Sequence, residues 1–249
     1  MKIIIRMVIF GTSFSVGFFV IRYFDIIPMH VLISETSGIG YLYSAIGLIF
    51  GIISAFVIQI QWDNWNNLLL SVHGEIKSLR RLLLFSSHIS SRSNLATKQS
   101  IIQYLEQVII HWHQNGKKKS HKEVADAIKN IYEHNYTVKN EKKRISTTEN
   151  EIVQAILNYH DDVMLYSARR LPAIVKNLIQ FNVILVIFLP LFIGVKTLWL
   201  DYITTLSIAL LAFLIYLVIT DLNNPLTPGN WHITSEEYQQ LLEELNKQN

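Results

Sequence analysis

The chain has 249 residues, half of them apolar, with 16% charged and a formal net charge of +3. A soluble enzyme of this length rarely carries so much apolar surface with so little charge, and a basic excess spread this thinly is not a nucleic-acid footprint. Cysteine is absent, which removes disulfides, thiolate metal sites and thiol nucleophiles.

The apolar residues cluster. Ile3 to Tyr23 is the first of four runs close to the ~20 residues that cross a bilayer. Lys2 and Arg6 ahead of it also suit a signal peptide, but no small-x-small site closes the run. "VIRYFD" places Arg22 and aromatics where a peptidase needs small side chains, so an uncleaved anchor is expected. Phe24 to Gly38 follows with Asp25 and Glu35 and no Lys or Arg. The second run, Ile39 to Ile60, passes without a proline into "QWDNWNNLLLSVHGEIKSLRRL", Gln61 to Leu82. One helix is expected to leave lipid and continue into water.

Within the second run, Gly40, Ser44, Gly47, Gly51 and Ala55 set small residues along one side, where another helix can approach closely. Gly47, Gly51 and Ala55 are the expected packing interface. Leu48, Ile52 and Phe56, four apart, form a bulkier stripe on a neighbouring face. Such a stripe alone reads as lipid-facing or core; carried to an axis, it would make a constriction that gates by dewetting.

From Gln61 to about Lys176 the pattern is helical throughout. Trp62, Trp65, Leu69, Val72, Ile76, Leu79 and Leu83 alternate spacings of three and four, the repeat of a packed helical seam. Leu95, Ile102, Leu105, Ile109 and Trp112 form a second stripe. Ser120 with Glu123, and Thr148 with Glu151, have capping-box spacing, the latter leading into Ile152, Ile156, Tyr159, Val163 and Tyr166. In "HWH", His111 and His113 lie two apart and point to nearly opposite sides of a helix, so they cannot clamp one ion. Asp161 and Asp162 beside His160 read as a solvated face. "LYSARRLP" places Arg169 and Arg170 near the membrane surface, where they would meet lipid headgroups.

Pro172 bounds this segment, and the third and fourth runs are Leu178 to Val195 and Leu198 to Thr220. "DLNNPLTPGNW", Asp221 to Trp231, is a turn before an amphipathic tail. Lys and Arg concentrate in the middle segment, including "GKKKSHK" (Gly116 to Lys122) and "EKKR" (Glu141 to Arg144), so that segment and both termini are expected in the cytoplasm. Arg22 at the far edge of the first span reads as a snorkelling exception. No Gly-rich phosphate loop, nucleophile-histidine-acid arrangement or paired intramembrane carboxylate occurs, so no catalytic residue, metal-ligand set or cofactor is expected, and the chain is not read as an enzyme.

The stretch "GLIFGIISAFVIQIQWDNW", Gly47 to Trp65, resembles the second span of bestrophins and its cytoplasmic extension. More closely, the chain resembles the bestrophin-like domain family of bacterial membrane proteins, once labelled a domain of unknown function. "WDNW", "EIKSLRRL", "YSARRLP" and the closing "LNNPLTPGNWHITSEEYQQLLEEL" carry that resemblance. It implies a homopentamer in the inner membrane around a central pore, with Leu48, Ile52 and Phe56 as the rings of its neck. Val57 stands where bestrophins usually have an arginine, and Asn64 where one is common. Only Asp221 is left of the acidic calcium clasp of animal bestrophins, so calcium gating is not expected.

The expected architecture is all-α. Residues 1–60 hold spans one and two, 61–176 an inserted cytoplasmic helical domain, 177–220 spans three and four, and 221–249 a cytoplasmic tail. The expected function is a bestrophin-like ion channel whose partners are copies of itself, membrane lipid and inorganic ions, with no nucleic acid. The competing reading is a non-conducting scaffold or sensor whose helical domain binds a partner or anionic lipid.

Overall fold

Long proline-free runs of apolar and helix-favouring residues satisfy their backbone groups internally, and most of the described residues use that solution. The structure, a computed structural model, describes residues 2–24, 36–89, 91–113, 145–192 and 197–247. Its helices are α1 (Lys2–Tyr23), α2 (Thr36–Ile89), α3 (Ser91–His113), α4 (Ile145–Ala168), α5 (Ala173–Phe188), α6 (Leu198–Leu222) and α7 (Glu236–Lys247), with a 3₁₀ turn at Leu189–Phe192. No strand occurs among the described residues. Among the described residues, four helical stretches are long and apolar enough to cross a membrane: Ile3–Tyr23, Gly40–His88, Ala173–Phe192 and Leu198–Leu222. The helix expected from Ser120, the two basic clusters, His121 and the side chains of His111 and His113 lie outside what is described.

α2 is one unbroken helix of 54 residues, about 80 Å long at 1.5 Å per residue, as the missing proline foretold. The third apolar helix begins at Ala173, directly after Pro172, five residues before the run that marks it in sequence. Its α-helical part ends at Phe188 because Pro190, buried in the following 3₁₀ turn, has no N–H to continue the ladder. α4 starts at Ile145, three residues ahead of the Thr148 expected to cap it.

The chain divides into two compact units, Met1–Asp63 with Arg170–His232 and Asn64–Arg169 with Ile233–Asn249. In the first, α5 and α6 pack through Ile179, Val183, Val186 and Ile187 against Ala209, Ala212 and Ile219, and α2 adds Phe50 and Val57 to the same core. α1 lies along α6, where the Phe10 and Phe213 rings stack at 4.1 Å. Arg22 is not a snorkelling side chain. It is turned inward, with Nη2 2.8 Å from Oδ2 of Asp201 and both side chains buried, and its guanidinium lies 5.5 Å from the Phe18 ring. A charge this close to an apolar span is tolerated because its counter-ion is built in.

The turn after α6 is organised by one carboxylate. Asp221 Oδ2 accepts the backbone N–H of Asn230 at 2.7 Å and of Trp231 at 3.2 Å. A side chain at Gly229 would collide with that carboxylate, which explains the glycine in the Pro-Gly pair. Asn223 Oδ1 accepts the N–H of Leu171 at 2.7 Å and ties the turn to the segment ahead of α5.

The second unit packs α2 beyond Asn64 with α3, α4 and α7. Its fully buried side chains include Leu68, Leu79, Leu82, Ile101, Tyr104, Leu105, Ile156, Tyr238 and Leu241. Gly74 lets α4 come close, since a Cβ there would run into the Tyr159 ring. The interior seam of α2 differs from the one its apolar residues suggest. Gln61, Asn64, Leu68, Ser71, Glu75, Ser78 and Leu82 are all buried, one position ahead of much of the expected series. Val72, Ile76 and Leu79 are buried with them, while Trp62 is 44% exposed. Likewise Leu95 is exposed, and Ile101, Tyr104 and Val108 join Leu105 and Trp112 in the α3 interior.

Candidate functional site

α2 presents two faces in its membrane-length part. Phe50, Ser54, Val57 and Gln61, spaced four, three and four, are buried against the chain's own core. At 3.6 residues per turn the opposite side of the helix falls on Leu48, Ile52 and Phe56, which are 66%, 50% and 67% exposed. Between these faces lie Gly47, half-buried, and Gly51 and Ala55, exposed. Among the described residues, no neighbouring element comes within 4 Å of where a Cβ on Gly47 or Gly51 would stand. Both stripes expected from spacing are therefore left uncovered by the described residues of the single chain.

The uncovered side changes character along the helix. After Phe56 come Gln59 and Asp63, one turn apart, with Gln59 Nε2 donating to Asp63 Oδ1 at 3.0 Å. An apolar stretch so passes into hydrogen-bonding groups without a break in the backbone, an order that suits a helix passing from a dry to a wet environment. Arg169 and Arg170 sit in the short segment between α4 and α5, both exposed. Leu171 beside them is fastened by its N–H to Asn223.

The polar centre of the second unit is a cluster that the sequence reading missed. Glu75 of α2 is fully buried. Tyr104 of α3 donates its hydroxyl to Oε1 of Glu75, and Tyr238 of α7 donates to Oε2 at 2.7 Å. His160 of α4, next to the Asp161–Asp162 pair that the sequence places on a solvated face, is buried; its Nδ1 lies 2.9 Å from the Tyr104 hydroxyl and 3.4 Å from Oε1 of Glu75. Four helices thus meet on one carboxylate. Burial, reinforced by the Glu75 charge, holds both phenols well above the usual tyrosine range, so they remain donors at any physiological pH.

Around this centre α7 is fastened by His73 Nε2 to Glu237 Oε1 at 2.6 Å and Arg80 to Glu244 at 3.0 Å. The Trp112 indole N–H donates to the carbonyl of Ile233 at 3.1 Å. No group of three or more metal-ligating side chains occurs among the described residues. The chemistry of the cluster is that of a structural clasp. The available signal was an acid on the three-four register of Leu68 and Leu82.

Comparisons with known proteins fit this geometry. The Bestrophin-like domain matches residues 12–235. No curated protein matches the sequence. Among solved structures, single-substitution variants of a bacterial Bestrophin homolog from Klebsiella pneumoniae are similar in fold. One has a TM-score of 0.78 at 10% identity, covering 99% of this chain and 98% of its own. Another has a TM-score of 0.75 at 12% identity, covering 98% and 97%. At such identities the likeness concerns the fold.

Proposed function

This chain belongs to the Bestrophin-like domain family, and on that premise we propose that it is an oligomeric membrane protein that conducts ions along an axis lined by α2. The observation that carries the proposal is the side of α2 turned away from the chain's own core. Leu48, Ile52 and Phe56 form an uncovered apolar stripe there that gives way to Gln59 and Asp63 on the same continuous helix. Around a symmetry axis these residues become stacked apolar rings, a neck that keeps water and ions out until it widens. The polar continuation becomes the wet side of the pore.

Gly47, Gly51 and Ala55, on the flank of the stripe, supply the close approach between α2 helices of neighbouring copies, in an assembly proposed to be a pentamer in the inner membrane. Arg169 and Arg170 lie at the cytoplasmic membrane surface. Both termini and the helical insertion, residues 61–176, are cytoplasmic. Purified protein in liposomes tests this reading: ion flux above that of empty vesicles supports conduction, and its absence under every ionic gradient favours a scaffold.

Two smaller tests address topology and assembly. Cysteines placed at Lys118 and at Thr36 of this cysteine-free chain are expected to differ toward an impermeant thiol reagent in intact cells, Thr36 labelling and Lys118 resisting. Labelling at Lys118 would defeat the topology. Gly51→Leu, which puts a bulky side chain at the close contact, is expected to break the assembly in mild detergent. A normal oligomer would show that the small stripe faces lipid or a cavity.

A further inference from the structure

A polar cavity of about 210 Å³ lies between the first turns of α1 and the end of α6, walled by Ile3, Arg6, Thr220, Asp221, Asn224, Thr227 and the Pro228–Asn230 turn. By the liquid-volume share of water it has room for about seven molecules, comparable with the bulk of phosphoethanolamine. Most of its polar groups are committed to the fold. Thr227 Oγ1 donates to the Asn224 carbonyl at 2.9 Å, and Asn224 Nδ2 to the Thr220 carbonyl at 3.3 Å. Asp221 is held by the N–H groups of Asn230 and Trp231, which fix its carboxylate without neutralising it.

Arg6 is different. Among the described residues it has no ion-pair partner, although it shares the cavity wall with Asp221. Opposite charges that face one cavity without closing on each other leave space for something between them. An anion alone would meet the Asp221 carboxylate, and a cation alone would meet the Arg6 guanidinium; each is disfavoured by the like charge.

We propose that this cavity binds a phosphoethanolamine group, with the phosphate on Arg6 and the ammonium on Asp221. Guanidinium matches phosphate oxygens in a bidentate fork, and a fixed carboxylate is the natural acceptor for a primary ammonium. The site stands at the ends of two membrane-length helices, the level of lipid headgroups. On the same two helices Ile4, Met7, Gly11, Leu206 and Leu210 line an apolar groove of about 670 Å³, a place for an acyl chain. Ile3 and Ile4, neighbours in sequence, line the one and the other.

The experiment uses the purified full chain in detergent, stripped of lipid. Thermal stability and Trp fluorescence would be titrated with phosphatidylethanolamine, phosphatidylglycerol of the same chains, and water-soluble glycerophosphoethanolamine. Phosphatidylethanolamine is expected to bind about tenfold more tightly than phosphatidylglycerol. Arg6→Gln should weaken it by about the same factor, and Asp221→Asn, which keeps an acceptor for the turn, should abolish the preference between the two lipids. Comparable binding of glycerophosphoethanolamine identifies a free headgroup as the source, and binding of the lipid alone identifies the membrane. Phosphatidylglycerol binding as tightly as phosphatidylethanolamine, variants that fold normally and keep the wild-type preference, or no binding by any of the three would overturn the proposal. Ion flux is not read, so the result stands apart from that of the channel proposal.

Discussion

Replacing Leu48, Ile52 and Phe56 together by alanine is expected to raise ion flux into liposomes by at least about tenfold, equivalent to lowering the barrier by about 1.4 kcal/mol. An apolar constriction excludes ions chiefly because water withdraws from it and an ion must enter stripped of hydration. Smaller side chains widen the ring and let water remain. Assembly should survive, because these residues face away from the chain's own core and are exposed in the single chain. Were they core residues, three truncations at about 2–5 kcal/mol each would destabilise the fold. A protein that keeps its thermal stability and oligomer but shows no rise in flux would remove these residues from the neck. One that loses stability would place them in a packing interface.

The second large effect is expected on stability. Glu75→Ala leaves the Tyr104 and Tyr238 hydroxyls and His160 buried without their common acceptor, and removing one partner from a buried charged network costs about 3–5 kcal/mol. Thermal unfolding should shift down by many degrees, with limited proteolysis releasing α7 first, because Tyr238 is one of its anchors. Glu75→Gln keeps an acceptor oxygen and should lose less.

The same cluster gives an alkaline limit. Both phenols are held above their unfolded value of about 10, so the native state keeps protons that the unfolded chain has lost. Their contribution is fully present below about pH 10 and declines as pH rises toward the folded values, by up to about 1.4 kcal/mol per pH unit for each group. Tyr238→Phe should flatten this decline. An unchanged alkaline slope in that variant, or a Glu75→Ala protein as stable as the wild type, would show that the clasp is not what holds these helices.

What the sequence made legible follows from what apolar periodicity reports. Four membrane-length runs, the unbroken α2 and the stripe of Leu48, Ile52 and Phe56 are all statements about apolar residues, and these the pattern carries. The interior seam of α2 is largely polar, with Gln61, Asn64, Ser71, Glu75 and Ser78 at buried positions. A rule that follows apolar side chains therefore moves to the adjacent column through Trp62 and Leu69, about 100° around the helix. The burial of His160 was not legible for a related reason: Asp161 and Asp162 advertise a wet face, and the neighbouring residue of a helix points elsewhere. The partner that turns Arg22 inward, Asp201, is 179 residues away in sequence, beyond the reach of local pattern.

The most direct test of the central proposal is an electron-microscopy structure of the purified assembly in lipid. The expected result is five copies around an axis, with α2 innermost and Leu48, Ile52 and Phe56 pointing at it in successive rings, the narrowest point of the pore. A monomer, or an assembly in which α2 lies at the lipid-facing rim with Ile52 directed into acyl chains, would contradict it.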